Sequence, residues 1–205
     1  MIEVTYTTTS GWFAAARGMR NPMNSWDRSD SRLNSTTLGY IIGEKDLDLM
    51  KRLSGAGREH RKFMRMIHVQ MDILAPLYWW KEFDTYKVGT TSNSCSTMHK
   101  LTAKPFELSD FSTDQIVDSA MDSMRQTVAD LNAIRNLYLD SKDERLWYTM
   151  VQLLPSSYNQ KRTVDFDYET ALTMIRQREG HKLKEWRDFV LELKYLPHMK
   201  QFMEV

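Results

Sequence analysis

The stretch Leu154-Pro155-Ser156-Ser157-Tyr158-Asn159-Gln160-Lys161-Arg162-Thr163-Val164 separates helical sequence on either side. Upstream, Asp143 is a helix start. Leu146, Met150, Val151 and Leu154 then recur at helical spacing until Pro155, which cannot continue the helix. Downstream, Ser156 to Phe166 is polar and irregular, with a strand candidate at Thr163-Val164. Two more helices are predicted over 168–178 and 182–194, separated by Gly180.

Working outward, Ser112-Thr113-Asp114-Gln115 has the spacing of a capping box, with Ser112 as the cap. The helix it would open carries Val117, Met121, Met124, Val128, Leu131 and Tyr138 at intervals that keep one face apolar. Nearer the N-terminus, Ile2, Val4 and Tyr6 alternate with polar residues, which predicts a strand over 1–10. Trp12 to Arg17 reads as a short helix and residues 18–37 as a long polar loop of the kind used as a lid. Gly43 to Leu53 reads as a helix. A second helical run is expected from Arg58 to about Ile73, on the spacing of Phe63, Met66, Ile67, Gln70, Met71 and Leu74. Pro76 should end it, and the aromatic run Leu77 to Phe83 follows. Gly89 to Thr97 is almost wholly small and polar, a ligand loop or a plain surface loop.

Composition narrows the function classes. The 205 residues suffice for one core. Net charge is +1, which argues against binding nucleic acid by bulk charge. Eight glycines and five prolines are about half the average usage, which favours long helices over a many-turned sandwich. Fourteen methionines and six tryptophans suit an adaptable core or an aromatic-lined pocket. A single cysteine, Cys95, leaves no intramolecular disulfide and no multi-cysteine metal site. No basic-then-apolar leader and no run of 18 apolar residues is present, so a soluble intracellular protein is expected, with no membrane partner. His60 and His68 lie eight residues apart, too far on a helix for one metal ion, so no metal is expected. Cys95 has only His99 nearby as a base, with no third group to orient it. Neither a Walker A run nor a Gly-x-Gly-x-x-Gly fingerprint occurs. Local cations do occur, at Arg58, Arg61, Lys62 and Arg65 and at Arg176 and Arg178, and these suit a phosphate or a solvated helix face.

The order of these segments resembles the flavin-dependent thymidylate synthases. The resemblance rests on Leu154-Pro155, the polar stretch to Arg162, Arg178, and the run His181-Lys182-Leu183-Lys184-Glu185-Trp186-Arg187. It rests also on Glu59-His60-Arg61-Lys62-Phe63, Pro76, Thr85-Tyr86-Lys87, Ser92-Asn93-Ser94-Cys95-Ser96 and Ala15-Ala16-Arg17. It is most similar to divergent members carried by bacteriophages. The resemblance implies an α+β fold, helix-rich around a small central sheet, as a single domain over 1–205. It also implies a homotetramer in the cytoplasm of a bacterial or phage-infected cell, making dTMP. The implied cofactor is FAD, and a pyrimidine nucleotide, dUMP, would be the substrate. Methylenetetrahydrofolate would be the carbon donor and NADPH the reductant.

By the resemblance, Arg178 would be the catalytic, pyrimidine-contacting arginine, with Ser96, Glu82 and Arg176 also binding substrate. Thr85, Tyr86, Lys87, Asn93, His60 and Thr173 would contact the flavin. The chain departs from the family pattern as well. Thr85 and Tyr86 replace an arginine and the histidine of an Arg-His-Arg triplet, which leaves Lys87 as its one cation. Met98, Val151 and Glu169 stand at three further family arginines. Each charge-assisted hydrogen bond lost is worth about 1.5–3 kcal/mol. Two other functions therefore compete with the enzyme: a nucleotide-binding protein on the same fold without chemistry, and a helical interaction module.

Overall fold

The computed structural model describes residues 1–34 and 39–204. In chain order the elements are β1 (Glu3–Ser10), α1 (Trp12–Arg20), β2 (Arg32–Leu33), β3 (Tyr40–Ile41), α2 (Glu44–Gly55), β4 (His68–Pro76), α3 (Leu77–Phe83) and β5 (Thr90–Ser94). They continue with α4 (Thr97–Lys100), α5 (Asp118–Ser141), α6 (Glu144–Leu153), β6 (Asn159–Asp167), α7 (Tyr168–Arg178), α8 (Lys184–Lys194) and α9 (Met199–Met203). The fold is α+β, helix-rich with a small sheet of order β1-β4-β6-β5. A two-stranded antiparallel ladder pairs Arg32 with Ile41 and Leu33 with Tyr40.

The described chain divides into two compact units. One comprises Met1–Glu3, Ile73–Thr85 and Asn93–Thr163; the other comprises Val4–Asp72, Tyr86–Ser92 and Val164–Val205. In the first, Leu101, Phe106, Phe111, Met124, Val128, Leu131 and Met150 form one apolar cluster. The Met124, Val128 and Leu131 face of α5 is thus buried at the spacing that the sequence suggests. The Asp143 side chain accepts from the Arg145 N–H at 2.9 Å and so caps α6. Trp79, Trp80 and Phe83 of α3 are buried against one another, with the two indoles edge-on at 4.9 Å. The aromatic run is therefore core packing, which decides between the two uses its composition allows.

The second unit holds β1, α1 and α2 with α7, α8 and α9. Trp186, Phe189, Tyr168 and Phe202 are its fully buried rings. Gly11 opens α1 at φ +85°, and a Cβ there would stand 1.8 Å from the Met66 carbonyl oxygen. Only glycine allows that approach.

Several local expectations are corrected. The helix expected over Arg58–Ile73 is a 3-10 turn over Arg61–Met66 followed by strand β4. Val69, Met71, Ile73 and Ala75 are buried in strict alternation, a period of two that the denser pattern of apolar residues hid. Pro76 ends a strand and begins α3, where its missing N–H costs nothing.

Ser112 does not cap α5, which starts six residues later with Val117 at the cap position. Its N–H instead donates to Ser157 O at 2.8 Å, beside the Phe111–Tyr158 bridge, and its hydroxyl meets Asn159 Oδ1 at 2.7 Å. Sheet pairing outcompeted the local cap.

The polar stretch Gly89–Thr97 is strand β5 and the start of α4, not a loop. The loop expected over 18–37 contains the end of α1, 3-10 turns at Asn21–Met23 and Trp26–Arg28, and β2. Its last positions, 35–37, lie outside the described residues.

Candidate functional site

Three features bring side chains together at the end of α7. Asp167 caps this helix by accepting from the Thr170 N–H at 2.7 Å. Its own N–H donates to Gly89 O, and Gly89, at φ +81°, lies so close that a Cβ would stand 2.8 Å from both Asp167 Oδ2 and Thr170 Oγ1. The glycine therefore lets the Tyr86–Gly89 segment lie along α7. The Thr90 hydroxyl then ties back to the Tyr86 carbonyl.

The Tyr86 ring consequently stands at the C-terminal turn of α7. Its hydroxyl accepts from Arg178 Nε at 2.9 Å and donates to Gln177 Oε1 at 2.9 Å. The Arg178 guanidinium lies 4.8 Å from the Trp186 ring and 5.6 Å from the Tyr86 ring. Contacts of this kind are worth about 0.5–1 kcal/mol each when exposed and more when desolvated. Trp186 is fully buried among Phe189 and its neighbours, so one wall of this box is rigid. Arg178 is half-buried at a helix C-terminus, where the macrodipole favours a cation.

Beside it, a cleft of about 370 Å³ is lined by Arg58, Arg61, Arg65, Tyr86, Thr173 and Glu169, among others. Glu169 accepts from Arg65 and faces Arg58 at 4.0 Å. Arg61 Nε donates to Ser54 O at 2.7 Å. Desolvation, with the Arg61 charge nearby, lowers the pKa of Arg176. Two guanidiniums face this carboxylate and a third lines the same cleft, and guanidiniums are donors suited to phosphate oxygens. FAD carries a diphosphate, so this lining fits part of it.

The residues expected from the sequence fall into three places. Arg178, Tyr86 and Thr173 share the neighbourhood just described, with Arg176 on the same helix and Lys87 exposed next to Tyr86. The Thr173 hydroxyl is bonded to Glu169 O. His60 lines a different cleft of about 810 Å³, with Met19, Arg20 and Leu49, and stands 3.6 Å from Glu59. Glu82, Thr85, Asn93 and Ser96 belong to the other unit. There, the Thr85 hydroxyl donates to Glu82 O, Ser96 caps α4 by accepting from the His99 N–H, and Asn93 is exposed on β5. The local cations that the sequence suggested around Arg58 and Arg61 do gather at one cleft.

Sequence reading missed three participants. Trp186 stood out only as one letter of a run, Gln177 not at all, and Arg65 only as part of a charge cluster. Nothing in the chain order reveals that Arg65 and Glu169 are partners. Among the described residues, no group of three His, Cys, Asp or Glu side chains is placed to hold a metal ion, and no helix is long and apolar enough to cross a membrane.

The sequence matches no family model and no curated protein. Solved structures do match. Thymidylate synthase X (ThyX) from Helicobacter pylori, solved with FAD and dUMP, aligns over 99% of this chain and 97% of its own, with TM-score 0.73 and 19% identity. A second structure of the flavin-dependent ThyX of Helicobacter pylori, also complexed with FAD and dUMP, aligns over 98% and 97%, with TM-score 0.70 and 18% identity. The fold is that of the flavin-dependent thymidylate synthases.

Proposed function

We propose that this protein binds a pyrimidine nucleotide of the dUMP kind beside a flavin and transfers a one-carbon unit to the nucleotide. The observation that carries the reading is Arg178, braced by Tyr86 and Trp186 in the place where the resemblance puts the pyrimidine-contacting arginine. A guanidinium held in one plane is a planar, permanently charged donor group, suited to a planar ligand. The adjoining arginine cleft supports a phosphate-bearing partner. A flavin bound there supplies the hydride of the family chemistry; methylenetetrahydrofolate and NADPH complete the reading by resemblance, with the chain working as a homotetramer.

A second reading has its own support. Glu169 lies on Arg65 at a position the family gives to a cation, and Tyr86 replaces the histidine of the triplet. Both favour a protein that holds a nucleotide without chemistry.

The test has two parts. The absorbance spectrum of the purified protein, with and without added FAD, should show bound flavin; a colourless protein that ignores FAD leaves only the second reading. Calorimetric titration with dUMP should show binding, and dUMP at 100 times its dissociation constant should raise stability by about 2.7 kcal/mol. Arg178→Ala should abolish that binding with folding intact. Binding that survives the substitution removes Arg178 from the site, and no response to dUMP in the unaltered protein overturns both readings.

A further inference from the structure

The corner between β5 and α4, Cys95-Ser96-Thr97, is tied to strand β6 by main chain and side chain together. Cys95 N–H donates to Lys161 O at 2.9 Å. The Cys95 carbonyl and the Thr97 hydroxyl oxygen accept from Gln160 Nε2 at 2.9 and 3.1 Å. Gln160 is itself held at both ends. Its main-chain carbonyl accepts from the indole N–H of Trp80 at 2.9 Å, and that ring is buried. Its Oε1 accepts from Arg162 Nε at 2.9 Å. The Arg162 guanidinium lies 4.2 Å from the Trp80 ring and donates through Nη1 to Asp84 Oδ1 at 2.7 Å.

Arginine Nε–H can only donate, so Gln160 turns its oxygen to Arg162 and both amide protons to the corner. The flipped amide would set donor against donor at Arg162 and oxygen against oxygen at Cys95. The result is a one-way relay, Arg162 to Gln160 to the corner, seated on a buried ring. Ser96 lies in the middle of what it holds. The Ser96 hydroxyl accepts from the His99 N–H at 3.2 Å, and its own proton meets no acceptor among the described residues.

We infer that Gln160, oriented by Arg162, is a positioning residue that fixes the Cys95–Thr97 corner and so holds the Ser96 hydroxyl in place as a donor to an oxygen acceptor on a bound ligand. The inference rests on the nucleotide-binding reading only for the ligand that probes it. The relay itself lies wholly within one compact unit of the chain.

The experiment uses the full chain with Gln160→Leu, Gln160→Glu, Ser96→Ala and the double variant of Gln160→Leu with Ser96→Ala. The first readout needs no ligand: amide hydrogen exchange at Cys95, His99 and Lys100, whose N–H groups are bonded within the corner or to β6. Gln160→Leu removes both links, and Gln160→Glu keeps an acceptor for Arg162 but has no amide protons for Cys95 and Thr97. Both should speed exchange at these amides about tenfold or more, with the thermal midpoint nearly unchanged. Unchanged exchange in either variant overturns the inference, whether or not any nucleotide binds. The second readout is the dissociation constant for dUMP. Gln160→Leu and Ser96→Ala should each weaken binding about tenfold, and the double variant should bind no more weakly than Ser96→Ala alone. Additive losses would mean that Gln160 acts other than through Ser96, and an unchanged constant in Ser96→Ala would mean that its hydroxyl meets no ligand. Either result overturns the positioning role. Absence of dUMP binding in the unaltered protein counts against the nucleotide-binding reading instead, and the exchange measurement still decides whether Gln160 fixes the corner.

Discussion

The Glu169 carboxylate, in the first turn of α7, accepts a hydrogen bond from the Arg65 guanidinium, which lies in the 3-10 turn before β4. Arg58 Nε stands 4.0 Å from the other carboxylate oxygen. An acidic residue thus sits among the cations and acts as their internal counter-ion.

Replacing Glu169 with Gln should free Arg65 and Arg58 for an anionic ligand. A charge-assisted bond is worth about 1.5–3 kcal/mol, so affinity for FAD or dUMP should rise about tenfold. Stability should change little, because the Arg65 side chain is 43% exposed and pairs of this kind contribute about 0–1 kcal/mol. Parallel ligand titration and thermal unfolding check both halves. Unchanged affinity for both ligands would show that this cleft takes no part in binding them.

A second pair should behave in the opposite way. Arg20 Nε donates to Asp46 Oδ1 at 2.5 Å, with the two side chains 5% and 0% exposed. Ser29 and Ser31 also donate to Asp46. Burial opposes the charge of Asp46, but the hydrogen bonds from Ser29, Ser31 and Arg20 together outweigh it, and its pKa lies below the ordinary carboxylate value. The depressed value means that this stabilisation is complete above the unfolded pKa of about 3.9 and is lost as pH falls through the lower folded value. Asp46→Asn leaves a buried guanidinium without its counter-charge and should cost about 3–5 kcal/mol in urea unfolding at neutral pH. A loss below about 1 kcal/mol would show that water reaches this pair.

His198 offers a pH effect nearer neutrality. It opens α9 in the left-handed region, φ 60°, and packs edge-on against Trp12 at 5.5 Å. Burial lowers its pKa below the ordinary histidine value of 6.5. Its neutral form is therefore the one that the fold prefers. Stability from this site is present above about pH 6.5 and is lost as pH falls through the lower folded value. Asn tolerates the same backbone conformation and does not titrate. In His198→Asn the thermal midpoint should fall less between pH 7 and pH 5 than in the unaltered protein, and identical slopes would exclude His198 as the titrating group.

Much of the fold was legible in the chain. Pro155 with the apolar spacing before it and the 168–178 and 182–194 periodicities each anticipate an element that is present, because each records a face that must be buried; the alternation at Ile2, Val4 and Tyr6 anticipates strand β1, although Tyr6 is 79% exposed. The readings that failed did so where two signals competed. Residues 68–76 carry apolar side chains densely enough to satisfy both the helical and the strand period, and pairing within the sheet decided between them. Ser112 has a good capping box but is bonded to Ser157 and Asn159 instead. Local propensity is worth a few tenths of a kcal/mol per residue, less than an extended ladder and its packing.

The site divides along the same line. The amino-acid sequence by itself determined the order of motifs, the near-neutral charge and the lone cysteine. It also determined that Arg178 would close a helix. Only the tertiary structure decided that Tyr86, 92 positions away, would meet that arginine, and that Glu169 would pair with Arg65 across 104 positions. The physical reason is that a hydrogen bond or ion pair depends on distance in space. Here that distance is set by Gly89 lying against Asp167 and by the packing of α7, neither of which leaves a periodic trace in the chain.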